Sequence, residues 1–374
     1  MLVLLLAASG LLAQKEKLPR PRRLDAGVEL RRDPATGELR FRRAAVGPPS
    51  EPVESAAPIR VRVNLVELSV NVLLPNGGHL LGLTRDDFRI SEAGVPQTIA
   101  HFDASTEPAS VVLVFDASPS VFREIGEMKQ AARTLAAHLA ARDEVAVVAF
   151  SASTRLVLPF STNRELLERA IESVAVSRDL ADERGSNIYE AVYLAVHELF
   201  SGRHGRKAIV LLTDGQDSGL GLTWSPASAE PHAGAAADRL SFEDVCRTLT
   251  AAGVEVYVIS TQNRPAAMAE AWLTANRARP LVTREAREAG MPHYTLYLAE
   301  LVRRSGGRLY FLRELPTLAD VYRHIAENLR AQYTLGYYPS APGQSGWRAL
   351  HVEVVGRPDV RILHRAAYYV PAPE

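Results

Sequence analysis

The chain has 374 residues, 47% of them hydrophobic and 23% charged, enough to bury a full-sized core and to hold more than one folded unit. Its 43 Lys and Arg balance 43 Asp and Glu, so overall charge gives no reason to expect nucleic acid or an anionic membrane as the main partner. Cys246 is the only cysteine, which excludes an intramolecular disulfide; it lies on the apolar side of an expected helix and reads as a buried core thiol.

The opening run M-L-V-L-L-L-A-A-S-G-L-L-A has the apolar core and small-residue end of a secretory signal peptide, with cleavage expected after Ala13. It is too short to span a bilayer, which takes about 20 apolar residues. The protein is therefore expected to be exported, periplasmic or extracellular, with no membrane span, although the usual Lys or Arg ahead of the run is missing. Residues 14–58 are rich in Arg, Pro, Glu and Ala and lack sustained apolar periodicity. They read as a flexible linker, with too little apolar surface to offset the entropy of ordering.

Strand patterning begins at Ile59. Val61, Val63 and Leu65 alternate with polar neighbours, Val70 to Leu74 continue the theme, and P-N-G-G at 75–78 supplies a turn. D-D-F-R-I, a turn at E-A-G and Q-T-I-A-H-F complete an antiparallel unit over 59–106, too small to bury a core alone.

From 109 to 330 strands alternate with amphipathic helices, the signature of a doubly wound, mainly parallel sheet with helices on both faces. Strands are expected at 111–115, 145–150, 156–160, 208–212, 254–259 and 306–311, and helices at 125–139, 163–174, 188–200, 242–252, 296–304 and 318–329. Two interruptions, 219–239 and 262–293, the second with a helical run over 267–277, read as loops that shape a binding face. Antiparallel character returns at 332–338, 347–355 and 360–369. These strands, within 331–374, are expected to complete the sandwich begun at 59–106. The expected fold is thus α/β, a doubly wound sheet inserted in a small antiparallel β-sandwich, an arrangement tolerated when a domain's chain ends lie close together.

Residues just past the carboxyl ends of parallel strands line one crevice, and three segments there carry hard oxygen ligands. V-F-D-A-S-P-S places Asp116, Ser118 and Ser120 after the first apolar strand, R-G-S-N-I-Y-E-A places Ser186 before a helix, and L-L-T-D-G places Asp214 after another strand. Each alone reads as an ordinary turn or helix cap; the force lies in three together. Hydroxyl and carboxylate oxygens suit Mg²⁺, Mn²⁺ or Ca²⁺, whereas thiols and imidazoles would suit zinc. Two carboxylates leave room for one more anionic ligand, such as a carboxylate from a partner.

D-A-S-P-S matches the D-x-S-x-S motif of the metal-ion-dependent adhesion site, and the chain here resembles von Willebrand factor A domains over about 109–330. V-L-L-T-D-G resembles that family's aspartate segment, and R-G-S-N-I-Y-E-A is similar to its G-G-T-x-x-Y-D-A segment. The run G-L-T-R-D-D-F-R-I-S-E-A-G-V-P-Q-T-I and the later Q-Y-T-L-G-Y-Y-P resemble bacterial von Willebrand factor A-related proteins described mainly from Acidobacteria. The resemblance implies that Asp116, Ser118 and Ser120 are metal ligands, that Ser186 stands in for threonine, and that Asp214 acts directly or through water. It implies an adhesion or complex-assembly module, not an enzyme, whose Mg²⁺ (or Mn²⁺/Ca²⁺) is completed by an Asp or Glu of a protein ligand. Two departures stand out. Serine at 186 lacks the methyl that restricts the threonine rotamer, and Arg184 and Glu190 replace the commoner glycine and aspartate.

Other candidates carry less. Asp217 reads as a surface turn. The ten histidines show no paired zinc spacing, and no G-x-S-x-G or P-loop is present. Trp347, Tyr337 and Tyr338 read as strand packing. The rival readings are a metal-free scaffold and, ranked below it, a metal-dependent hydrolase with Asp116 as nucleophile. The second aspartate typical of haloacid-dehalogenase-like phosphatases is replaced here by Ser118.

Overall fold

A computed structural model describes residues 17–33, 37–43, 65–104, 108–176, 185–220, 239–276, 279–312, 318–340 and 345–370. In chain order the strands and helices begin with β1 (Arg22–Arg23), β2 (Val28–Arg32), β3 (Leu39–Arg43), β4 (Val66–Leu73), β5 (Phe88–Glu92), β6 (Val95–Gln97) and β7 (Ile99–Asp103). Next come β8 (Ala109–Asp116), α1 (Ile125–His138), β9 (Glu144–Phe150), β10 (Thr154–Ser161), α2 (Arg164–Ser173), α3 (Ile188–Leu199), β11 (Arg206–Thr213), α4 (Phe242–Ala252) and β12 (Val254–Ser260). The chain continues with α5 (Glu270–Ala275), α6 (Arg284–Glu288), α7 (His293–Ser305), β13 (Leu309–Phe311), α8 (Leu318–Arg330), β14 (Tyr333–Tyr337), β15 (Gly346–Val354), β16 (Arg361–Leu363) and β17 (Ala367–Val370).

One seven-stranded sheet has the order β1-β10-β9-β8-β11-β12-β13. The run from β9 to β13 is parallel, and β10 and β1 add antiparallel at one edge. Strand β8 is buried along its whole length, and its alternation splits it between two cores. Val112 and Val114 face a cluster with α3, α4 and α7. Val111, Leu113 and Phe115 face one with α1, α2 and α8. A strand covered on both sides must be apolar throughout, and this one is.

Strands β2 and β3 form a two-stranded antiparallel sheet, and eight of the remaining strands form two four-stranded ones, β16-β4-β14-β7 and β17-β15-β5-β6. Neither half of the chain closes them alone: β14 lies between β4 and β7, and β15 pairs with β5. Their inner residues, among them Leu68, Val70, Phe88, Ile90, Leu335 and Val352, share one apolar cluster. Buried arginines tie this sandwich to the amino-terminal side of the large sheet. Arg206, the first residue of β11, donates to Leu329 O at 2.8 Å, Arg330 O at 3.1 Å and Gln332 O at 2.9 Å. The carboxyl ends of β8 and β11 therefore face away from the junction.

Two expectations need correction. The supposed linker carries β1, β2 and β3. Val28, Leu30, Leu39 and Phe41 alternate with Glu29, Arg31, Arg40 and Arg42, and the apolar face packs on the α3 side of the core. Phe41 stacks on His197 at 4.6 Å, Arg32 pairs with Asp244 at 2.7 Å, and Leu24 is fully buried, worth about 1.5–3 kcal/mol. The apolar face of the hairpin offsets its ordering. The expected strand at 360–369 is two short strands in different sheets, because the chain crosses over at His364 to Ala366. There the Arg365 guanidinium turns inward to Thr250 O at 2.6 Å and Glu67 O at 2.7 Å. The signal-peptide reading, Val61 and Val63, Arg184 and most of the 219–239 interruption lie outside the described residues.

Candidate metal centre

Asp116 ends β8 and is fully buried. Its Oδ1 accepts the Ser118 N–H at 3.0 Å and the Ser118 hydroxyl at 2.5 Å. Ser120 Oγ lies 3.0 Å from Ser118 Oγ. This run of oxygens is set by a short turn, Pro119–Val121, whose Val121 side chain is fully buried. The turn is pinned in place by the Ala117 N–H, which donates to Phe150 O at 2.7 Å.

Asp214 follows β11 on the opposite flank. The parallel register aligns Leu212 with Phe115, so Thr213 falls beside Asp116. The Thr213 hydroxyl donates to Asp116 Oδ2 at 2.7 Å and accepts the Gly215 N–H at 3.0 Å. Asp214 itself accepts the Gln216 N–H at 2.9 Å and Gln216 Nε2 at 3.1 Å. Gly215 makes the turn with φ +86°, and a Cβ there would stand 2.8 Å from Leu298 Cδ1. Only glycine meets both demands.

Ser186 comes from a third segment. Next to it, the Asn187 N–H donates to Ser151 O at 2.9 Å and Asn187 Nδ2 to Ala152 O at 3.1 Å, just past the end of β9. On the other side the Ser186 N–H donates to Ser218 Oγ at 2.8 Å, and the Ser218 N–H returns to Ser186 O at 2.8 Å. Since Phe150 is the register partner of Asp116, the loop is anchored at the neighbouring strand end. Ser186 Oγ is buried and has no hydrogen-bond partner among the described residues. A buried hydroxyl left unpaired costs about 1–3 kcal/mol, which fits a ligand atom waiting for a cation.

The electrostatics point the same way. Burial pushes the Asp116 carboxyl up to about 6; the Ser118 and Thr213 donors pull it down, and the neighbouring Asp214 carboxylate pushes it up again. Two carboxylates and three hydroxyls would together neutralise a divalent cation and offer it hard oxygen ligands. Among the described residues no group of three His, Cys, Asp or Glu stands together, and the oxygen set owes most of its donors to serine.

Sequence reasoning missed Thr213, which orients Asp116 across the strand register, and Ser218, which holds Ser186 from a neighbouring loop. Asp217 differs from the expected surface turn. It is part-buried and accepts the Leu220 N–H at 2.8 Å. Burial raises its carboxyl to about 6, and backbone amides of Leu220, Tyr189 and Ile188 counter that at the start of α3. Its place is at the positive end of that helix. Glu190 accepts Asn187 Nδ2 at 3.0 Å and so holds the loop that presents Ser186.

Residues 110–275 match the family model of the von Willebrand factor type A domain. The matched residues are a von Willebrand factor type A domain, and the doubly wound sheet they help to build is carried together with antiparallel sheets. No curated protein matches the chain. Solved structures that it resembles include an aerotolerance-related membrane protein from Bacteroides fragilis NCTC 9343, at 16% identity and TM-score 0.40 over 59% of this chain and 98% of that one. A von Willebrand factor type A protein from Catenulispora acidiphila matches at 13% identity and TM-score 0.37, over 84% of this chain and 75% of that one. Proximal thread matrix protein 1 from the mussel byssus, solved with a zinc-occupied MIDAS motif, matches at 16% identity and TM-score 0.39, over 64% of this chain and 49% of that one.

Proposed function

We propose that this protein is a metal-dependent protein-binding module in which Asp116, Ser118, Ser120, Ser186 and Asp214 hold one Mg²⁺, with Mn²⁺ or Ca²⁺ as alternatives. The observation that carries the reading is the orphaned, buried Ser186 Oγ, anchored beside the strand end that bears Asp116. When bound, the cation supplies an open coordination position that attracts a carboxylate. Asp116, Ser118 and Ser120 orient the oxygens on one side, the Thr213 hydroxyl holds Asp116 Oδ2 and counters the upward push of burial on its carboxyl, and the Ser186 loop closes the other side. An Asp or Glu of a partner protein completes the shell. The charge balance supports this, since two carboxylates leave a divalent site near neutral and able to take one more anion.

Displacement around Ser186 and Asp214 is further proposed to reach α8, which packs on α1. The Arg206 clamp on Leu329 O, Arg330 O and Gln332 O is the physical link from α8 to β14. The apolar first 13 residues support export to the periplasm or beyond. Among the described residues no helix is long and apolar enough to cross a membrane.

The test is capture of partners from a periplasmic or extracellular fraction on the immobilised chain. Retention should require divalent metal, be released by EDTA and be absent with Asp116→Ala. Capture that is indifferent to EDTA and to that substitution supports the metal-free scaffold instead.

A further inference from the structure

Among the described residues six large apolar side chains are exposed: Leu65, Leu81, Val95, Phe122, Tyr338 and Val355. Five belong to the β-sandwich segments. Phe122 is the exception, the exposed large apolar residue of the α/β body, and it stands two residues past Ser120. Its relative exposure is 64%. The turn that sets Ser118 and Ser120 also sets this ring. Val121 is fully buried, the Phe122 N–H donates to Pro119 O at 3.3 Å, and the Glu124 N–H donates to Val121 O at 3.0 Å. With Val121 turned into the core, the adjacent side chain is turned to solvent. An aromatic ring is a large apolar surface with few rotamers to lose on contact, and such residues dominate protein interfaces.

We infer that Phe122 forms an apolar contact beside the metal position, so that the partner is recognised as an acidic side chain with an apolar group next to it rather than as a carboxylate alone. The inference rests on the proposed metal bridge. Phe122 is then a specificity-determining residue: the cation engages any accessible carboxylate, and the ring selects those that carry hydrocarbon. Because the contact lies outside the oxygen cluster, it adds to partner affinity without altering metal affinity.

The n-alkanoates acetate, butyrate and hexanoate separate the two components. Their affinities are measured by ligand-observed NMR on the full chain at saturating Mg²⁺, in wild type, Phe122→Ala and Phe122→Leu, with calorimetry of Mg²⁺ alone on each. Affinity is expected to rise about 2- to 4-fold per methylene in wild type, to be flat in Phe122→Ala and to rise again in Phe122→Leu, with one Mg²⁺ affinity throughout. Acetate binding with no chain-length dependence, or with the same dependence in Phe122→Ala, overturns the inference and leaves the metal reading intact. Hexanoate binding of equal strength in EDTA also overturns it, since the ring then acts apart from the cation. Failure of every carboxylate, acetate included, to bind the Mg²⁺-loaded chain overturns the metal bridge and this inference together.

Discussion

Thr213 Oγ1 donates to Asp116 Oδ2 at 2.7 Å, joining the ends of two adjacent parallel strands through one hydroxyl. That hydroxyl also accepts the Gly215 N–H, so the turn carrying Asp214 and the carboxylate of Asp116 are positioned by the same atom. Neither residue is free to move without the other.

Thr213→Val keeps the side-chain volume and removes the donor. Asp116 then loses one of the contacts that hold its carboxyl down against burial. Outer partners of metal ligands typically contribute 10–100-fold in affinity, and Mg²⁺ binding is expected to weaken by about that factor. Calorimetry reads it directly; an unchanged dissociation constant would show that Thr213 does not tune the site.

Ser186 should show opposed effects on binding and stability. Ser186→Ala removes a buried hydroxyl with no partner, so the metal-free protein is expected to be as stable as wild type or slightly more so, because deleting an unpaired polar group relieves its desolvation. Metal affinity is expected to fall, and Ser186→Thr to restore it. Thermal melts with and without Mg²⁺ on the three proteins test this. A melting temperature that drops in metal-free Ser186→Ala would mean the hydroxyl has a structural partner after all.

Much of this was legible in the residues. The apolar run V-V-L-V-F and the aspartate after it mark a central strand and its carboxyl end. The repetition of that pattern at L-L-T-D-G marks the adjoining strand. Thr213 and Ser218 were not legible as site residues, because their roles depend on register between strands nearly a hundred residues apart and on a loop-to-loop contact. The β2–β3 hairpin was hidden because arginines crowd its outward positions and mask the period-two alternation of Val28, Leu30, Leu39 and Phe41. The crossover at Arg365 was hidden because a buried arginine is rare and looks, in sequence, like a strand's solvent face.

Acid should loosen the sandwich through Glu92. Burial raises its carboxyl, but hydrogen bonds from Tyr337 at 2.6 Å, Arg348 and Tyr368 at 2.8 Å outweigh that and hold it below its ordinary value. A carboxyl lowered on folding stabilises the fold above its unfolded pKa, and that stability is lost as pH falls through the folded value. Denaturation midpoints are expected to fall as pH drops below about 4.5, with a shallower fall in Glu92→Gln. Glu92→Ala removes the acceptor of the buried Tyr337 and Tyr368 hydroxyls and is expected to cost about 1–3 kcal/mol at neutral pH. Parallel pH profiles for wild type and Glu92→Gln would remove Glu92 from the account.

Coupling from the metal site to the sandwich has its own signature. Hydrogen exchange over residues 318–338 is expected to change when Mg²⁺ and a carboxylate ligand are both present, with the largest change near the Arg206 clamp. Identical exchange in the two states rejects the coupling while leaving metal binding untouched.

The central claim is that five oxygen-bearing residues from three segments hold one divalent cation. Titration calorimetry with Mg²⁺ on the folded full chain tests it most directly. One ion per chain is expected in wild type, with binding abolished in Asp116→Ala at unchanged secondary structure. Absence of binding to the folded wild type, or equal binding in Asp116→Ala, would contradict it.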